Sequence, residues 1–371
     1  MTDVFVASDN IFSPLGSTTA ENFSRLKKGI SGVRQHEMPD IFGEPFYASL
    51  FDPGQPIHDG PYTKFEQLLL ASIDDALQSS DIDPADKKTI LIISSTKGNI
   101  SLLENGVHEP ASISLPASAR KIAAHFHFAH APIVVSNACI SGVLALLLAK
   151  RLLQSGQYEN AVIAGADVIS RFVLSGFGSF QAISPGPCKP FDAARDGINL
   201  GEGAGTIILS TRKIYREGIK LRSGSISNDA NHISGPSRTG EELYQTITRS
   251  LAGAGLNPGN IDFISAHGTA TMYNDEMEAK ALTLADLQSV PVNSLKGYYG
   301  HTLGAAGLIE SIVTLQSMRE DLVLPSKGYE LNGVTKPLNV CSSLLHTPLN
   351  NCLKTASGFG GCNAAVVWSK Y

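Results

Sequence analysis

Pro132-Ile133-Val134-Val135-Ser136-Asn137-Ala138-Cys139-Ile140-Ser141-Gly142 is the most informative stretch of this chain. Ile133, Val134 and Val135 are a β-branched run opened by Pro132, the pattern of a short buried strand. From Gly142 the pattern changes. Val143 to Leu153 is apolar nearly all round, which predicts a central helix closed by Gly156. Cys139 falls at the junction, against the helix N-terminus, where unpaired N–H groups and a dipole of about half a charge favour an anion. Cysteines so placed have pKa values lowered from about 8.5 to roughly 3.5–7.5, and the thiolate is the nucleophile. A buried structural cysteine is the competing reading, because free Cys is among the most buried residue types.

The 371 residues are 43% hydrophobic and 17% charged, ample for a large core and for two packed halves. A net charge of −5 does not point to a nucleic-acid partner. No apolar run reaches the roughly 20 residues needed to span a bilayer. Met1-Thr2-Asp3-Val4-Phe5-Val6-Ala7 lacks the basic start and apolar stretch of a signal peptide. Five cysteines (Cys139, Cys188, Cys341, Cys352, Cys362) form no C-x-x-C pair and no disulfide ladder, so a reducing cytoplasm is expected.

Working outward, the N-terminal part reads as a strand (4–7), a turn at 13–16, a helix over about 19–28, a loop (51–63) and a helix over about 64–77. A strand over 89–95, an irregular segment to about 116 and a helix over about 117–128 lead into the cysteine strand. Beyond the Cys139 helix come a buried strand at 161–167, a loop from Gly176 through Cys188 to Asp192, and a glycine turn feeding a strand at 201–210. The second part repeats this grammar: a helix over about 241–252, a strand at 261–266, Pro291 to Ser294, a helix from about Leu303, and the glycine turn and strand at 358–368. Matching features lie roughly 160–170 residues apart, a spacing suited to a duplicated domain. Buried strands alternating with helices imply α/β sheets covered on both faces, with halves at 1–211 and 212–371. Chance matches within a long α/β chain are the bland alternative.

His267, in Ser265-Ala266-His267-Gly268-Thr269-Ala270-Thr271, leaves the end of an apolar strand, where α/β sheets place their ligands. His301 follows Lys296-Gly297-Tyr298-Tyr299-Gly300, at the duplicated counterpart of the cysteine turn. Glu310 lies within an apolar helix. If buried it needs a partner, and Lys296 is the obvious one, although a solvated face is equally compatible with its position. Cysteine, two histidines and a lysine match no zinc spacing. A Cys-His hydrolase would normally use one base histidine with an orienting Asn or Asp. Two histidines from symmetric positions instead suggest two N–H donors on one carbonyl oxygen.

Together these motifs resemble the β-ketoacyl-[acyl carrier protein] synthases, the elongating condensing enzymes of thiolase fold. The matches are Asn137 to Gly142, Lys189-Pro190-Phe191-Asp192 through Gly197, Gly201 to Gly205, Ala266 to Thr271, Lys296 to Gly307, and Gly358 to Gly361. They cover about residues 130–371 in family order. The resemblance implies a five-layered αβαβα fold of two duplicated halves, dimeric with itself or with a homologue. It implies that Cys139 carries the acyl chain and that the N–H groups of Cys139 and Phe359 form its oxyanion hole. It further implies that His267 and His301 donate to the malonyl thioester carbonyl during loss of CO2, with Lys296 and Glu310 in support. Thr269 and Thr271 match positions contacting the phosphopantetheine arm, and Phe359 matches a gating aromatic. The reaction implied is a 3-oxoacyl-[acyl carrier protein] synthase step. Its partner is an acyl carrier protein, with no metal or redox cofactor and no membrane span. A catalytically silent, chain-length-factor-like subunit of a heterodimer is the alternative, and a thioester hydrolase a third.

Four departures stand out. Ile140 replaces a small residue after the cysteine. Cys362 replaces a Thr. The 98–128 segment is short, and the helix beginning at Lys64 carries little basic charge. A reduced cap and an altered docking surface favour a specialised lipid, polyene or polyketide pathway.

Overall fold

Strands form where the β-branched runs lie, and the runs Asn160–Asp167 and Gly203–Ser210 are buried along their whole length. The computed structural model describes every residue except 1, 56, 105, 107–108, 230 and 232–234. The strands that place the site are β1 (Phe5–Phe12), β2 (Thr89–Ser94), β3 (Ile133–Val135), β4 (Asn160–Asp167) and β5 (Gly203–Ser210). With them come β6 (Ile219–Asn228), β7 (Phe263–Ser265), β8 (Val292–Asn293), β9 (Asn351–Gly358) and β10 (Cys362–Lys370). The helices are α1 (Lys64–Gln78), α2 (Leu115–His125), α3 (Ser141–Gln154), α4 (Arg171–Ser179), α5 (Glu241–Ala254), α6 (Met272–Leu284), α7 (Lys296–Tyr299) and α8 (Ala306–Glu320).

The sheet runs β8-β7-β9-β10-β6-β1-β5-β4-β2-β3. Its two halves meet at a single residue pair, Phe5 with Lys220, and share one plan. In the first, β2 is parallel to β3 and β4, while β4–β5 and β5–β1 are antiparallel. In the second, β7 is parallel to β8 and β9, while β9–β10 and β10–β6 are antiparallel. Helices α3 and α8 pack on each other and on strands of both halves. Helices α1 and α2 cover the outer face of the first half, and α5 and α6 that of the second. The result is the five-layered αβαβα arrangement. Its largest core cluster is the central one, and two smaller clusters lie under the outer helices.

The central helices cross where neither has a side chain. A Cβ on Gly142 would sit 2.8 Å from the Leu308 nitrogen, and one on Gly307 would sit 2.8 Å from the Val143 nitrogen. This contact sets Cys139, just before α3, against the turn that precedes α8.

Several sequence expectations are revised. The glycines at 201–205 are not a turn. They lie in the buried strands Leu200–Gly201 and β5, because Cβ atoms at Gly203 and Gly205 would press on Ile309 of α8 at 3.3 and 3.1 Å. The 176–179 part of the expected loop is helical. Ser170 caps α4 by accepting the Val173 N–H, and the buried Val173 and Leu174 anchor it. Strands β6 and β9 and helix α6 have no counterpart in the sequence reading. The 98–116 segment holds two single-turn helices, Ser101–Glu104 and Pro110–Ile113, while residues 105 and 107–108 lie outside the described residues. No helix among the described residues is long and apolar enough to cross a membrane.

Candidate active site

Cys139 sits in a strained turn between β3 and α3. Ala138 has φ of 44°, a left-handed conformation that is unfavourable for a residue with a Cβ. The Ser141 hydroxyl holds the turn by accepting the Asn137 N–H at 2.8 Å and donating to the Ala138 carbonyl at 2.6 Å. The Phe359 backbone N–H lies close enough to the Cys139 sulfur to favour its thiolate form. Gly358 brings the hairpin that closely: a Cβ there would lie 2.9 Å from the Cys139 nitrogen. Both backbone N–H groups assigned to the oxyanion hole therefore border the sulfur.

The expected lowering of the Cys139 pKa is not found. Part of the residue stays open to the cavity, yet protein surrounds the sulfur closely enough that burial pushes the thiol up to about 12, aided by neighbouring Cys362. Lys296 and the Phe359 N–H pull it down only in part. Desolvation of an anion exceeds the attraction of one helix terminus.

His267 and His301 are buried and face each other edge to face, with ring centroids 5.3 Å apart. His301 Nε2 is 3.0 Å from Cys139 Sγ, and all three potential ligand atoms of Cys139, His267 and His301 lie within 4.8 Å of one another. Burial, then the Lys296 charge, holds both imidazoles well below the usual 6.5, so both are neutral at pH 7. Neither Nδ1 has a hydrogen-bond partner among the described residues, so the cavity-facing partner of Nε2 sets the tautomer. The His301 backbone is held between Asn199 and Gly201: its N–H donates to Asn199 O, and its carbonyl accepts the Gly201 N–H. Gly201 is required there, because a Cβ would lie 1.8 Å from Tyr299 O.

Lys296 and Glu310 are both buried and form the predicted ion pair. The solvated-face alternative for Glu310 is therefore excluded. Three further groups were not among the predicted site residues. Glu278 of α6 accepts the His267 and Gly268 N–H groups, each at 2.8 Å. Asp275 accepts the Thr269 and Phe191 N–H groups at 2.9 and 2.7 Å. Lys354 of β9 touches Glu310 from the other side at 2.7 Å. Charged residues within an otherwise apolar strand or helix are the sequence signal that marks such positions.

A cavity of about 350 Å³ opens above these groups, lined by Cys139, His267, His301, Thr269, Thr271 and Phe359. Thr269 and Thr271 share a 2.8 Å hydroxyl–hydroxyl bond. Phe359 stacks on Phe177 of α4 at 5.7 Å and meets the edge of Phe180 at 5.3 Å. Ile140 is 1% exposed and points into the central core rather than lining the cavity. Cys362 lies under the hairpin, its sulfur 3.4 Å from Phe359 O. Lys64, the one basic residue of α1, is paired with Glu202 at 2.6 Å.

Comparison with known proteins agrees with this geometry. The family profile "Beta-ketoacyl synthase, N-terminal domain" matches residues 51–213, and "Beta-ketoacyl synthase, C-terminal domain" matches residues 220–330. The 3-oxoacyl-[acyl-carrier-protein] synthase 2 of Rhizobium meliloti is 33% identical over 256 residues, 64% of this chain and 60% of that protein. The match thus spans less than two thirds of that relative. A beta-ketoacyl synthase from Burkholderia phymatum superposes with a TM-score of 0.91 over 100% of both chains at 22% identity. A ketosynthase in complex with its chain length factor from Xenorhabdus doucetiae gives 0.88 over 100% of this chain and 98% of that one, also at 22%. At such identity the superpositions speak for the thiolase-like fold, and the profile matches carry the rest: the chain belongs to the β-ketoacyl synthase family.

Proposed function

We infer that this chain is a 3-oxoacyl-[acyl carrier protein] synthase. It joins a Cys139-bound acyl chain to a malonyl unit by decarboxylative Claisen condensation. The observation that carries this reading is the convergence of the Cys139 sulfur and both imidazoles within 4.8 Å at the floor of one cavity. In the first step the Cys139 sulfur attacks the acyl thioester carbonyl, and the thiol proton passes to the departing carrier sulfur; His301 Nε2 lies 3.0 Å from the Cys139 sulfur but is not required for this step. The N–H groups of Cys139 and Phe359 receive the developing oxyanion, and the carrier thiol departs with the proton. In the second step the C–CO2 bond of the malonyl group breaks. The electron pair is held as an enolate, whose oxygen takes hydrogen bonds from His267 and His301. The enolate carbon then attacks the acyl-Cys139 carbonyl. The thiolate leaves and is reprotonated, and a 3-oxoacyl thioester remains on the carrier.

Neutral imidazoles suit this task, since each keeps an N–H to donate and carries no acidic imidazolium proton that would quench the enolate. A preorganised donor of this kind is worth roughly 3–4 kcal/mol. Lys296 and Glu310 set the charge behind the histidines. Thr269 and Thr271 offer hydroxyls to the amides of a phosphopantetheine arm, which delivers both substrates. The reading needs no metal or redox cofactor.

The halves 1–211 and 212–371 then supply the nucleophile and the donors respectively. A reducing cytoplasm suits five unpaired thiols. The paired Lys64 and the short 98–128 segment favour a specialised lipid, polyene or polyketide pathway over housekeeping fatty-acid synthesis. The Xenorhabdus neighbour was solved with its chain length factor, which supports a homologous subunit, or a second copy, as the partner here. The complete Cys-His-His-Lys set argues against the silent-subunit alternative.

The test is His301→Ala. It retains uptake of labelled acyl groups on Cys139 and lowers CO2 release from malonyl-carrier by about 100-fold or more. Normal decarboxylation in that variant would refute the role of His301. A native chain that acylates with no carrier, alone or with a partner, would favour the silent subunit.

A further inference from the structure

Lys354 is fully buried at the centre of β9, in register with Ser265 of β7, two residues before His267. Alternation along β9 explains its direction. Cys352 and Ala356 belong to the central core cluster and Leu353 to the outer one, so Lys354 faces the central layer and α8. Its ammonium donates to the carbonyls of Ser265 and Ala266, both at 3.2 Å, and to that of Thr355 at 2.5 Å. It also makes an ion contact with Glu310 Oε2 at 2.7 Å, at an angle outside hydrogen-bond geometry. Thr355, the next residue, donates its hydroxyl to Glu278 Oε1 at 2.6 Å.

The peptide group between Ala266 and His267 is therefore gripped at both poles. The Lys354 cation holds the Ala266 carbonyl, and the Glu278 carboxylate holds the His267 N–H. Glu310 is shared by two cations, Lys296 and Lys354. A buried lysine carries a large desolvation penalty, and an apolar side chain would serve β9 better if packing were the only demand. Burial indeed depresses the Lys354 pKa, and Glu310 offsets this in part.

We propose that Lys354 is a positioning residue of the condensing site: it fixes the strand end that aims His267 and supplies, beside Lys296, a second cation on Glu310. The inference rests on the condensing-enzyme reading and adds to it a residue outside the motif set. The charged groups around Lys354 are Glu310 of α8, Lys296 of α7 and Glu278 of α6, with His267 and His301 beyond them. Removing the cation raises the pKa of both histidines, because a like charge nearby disfavours their protonated form.

The experiment compares native protein with Lys354→Met for malonyl-carrier decarboxylation and for histidine titration by NMR after selective labelling. In Lys354→Met, kcat falls roughly 10- to 100-fold, the penalty of a misaimed catalytic group, while KM changes by less than about twofold. The His267 and His301 resonances titrate at higher pH than in the native chain. A folded variant with native kcat, or with unchanged histidine titration, overturns the proposal. If Lys354→Met does not fold, Lys354→Gln, which keeps a donor toward the Ala266 carbonyl but removes the charge, decides by the same readouts, and native kcat or unchanged histidine titration in it overturns the proposal. A native chain that neither acylates nor decarboxylates refutes the condensing-enzyme reading itself, and the role of Lys354 falls with it.

Discussion

Cys139 is under two opposing influences, and their balance has a kinetic signature. The helix terminus and the Phe359 N–H favour the thiolate, but burial dominates and leaves a thiol near 12. A group whose pKa is raised stays protonated until pH approaches that value. Alkylation of Cys139 by iodoacetamide in the free protein will therefore rise about tenfold per pH unit between roughly pH 7 and pH 10, without a plateau. A plateau below about pH 8 would show that the dipole prevails after all. A neutral resting thiol resists stray oxidants and electrophiles, and it reacts when a thioester carbonyl occupies the two N–H groups. At this scale the sequence disclosed identity but not balance. The residue types at 139, 267, 296, 301 and 310 were legible from motif and spacing. The sign of the thiol shift was not, because burial and nearby charge depend on distant segments; Cys362 and Asp167 add to the rise through their charge.

At the level of elements, the crossing of α3 and α8 controls the distance from nucleophile to donors. Gly307→Val would place a side chain against the Val143 backbone, where a Cβ already has only 2.8 Å. Overpacking of this kind costs about 1–3 kcal/mol. Urea unfolding of Gly307→Val will show that loss, and decarboxylation will fall more than Cys139 acylation, because the displaced element is the one that follows His301. Equal losses in both steps would argue against that coupling. A second clasp acts on the same turn. Asp167, at the end of β4, accepts the Ser95 hydroxyl at 2.8 Å and the Gly304 N–H at 2.7 Å. Asp167→Ala strands buried donors at about 1–3 kcal/mol each, and Asp167→Asn will cost less because it keeps an acceptor oxygen. Thermal unfolding of the two variants will rank them in that order. Helices such as α1 and α3 were readable from their apolar stripes. In contrast, α6 has a mixed surface: Asp275 and Glu278 are buried to serve the His267 loop, which breaks the apolar periodicity a sequence pattern relies on.

For the whole molecule, the relevant feature is the free edge of β3, the last strand of the sheet. Its Ile133 and Val134 are half-buried and its outer edge is unpaired among the described residues, four residues before Cys139. An unpaired apolar edge is a template for pairing with another chain. Sedimentation equilibrium will give the mass of two chains, either alone or with a co-expressed homologue. A single-chain mass at all concentrations, with condensing activity retained, would refute this. Duplication set the general plan. Two halves with the same strand order present one strand end each to a shared centre, so a cysteine from the first copy and histidines from the second can meet.

The order of buried strands, the apolar helices between them and the glycine-flanked Cys and His motifs were written locally along the chain. Short-range pattern is therefore enough to reveal the family, the duplicated α/β plan and the reacting residues. The pKa of Cys139, the second partner of Glu310 and the helical state of the 171–179 segment arise from atoms far apart in sequence. Burial, close backbone approach and the pairing of charges are properties of neighbours in space, and only the folded chain supplies those neighbours.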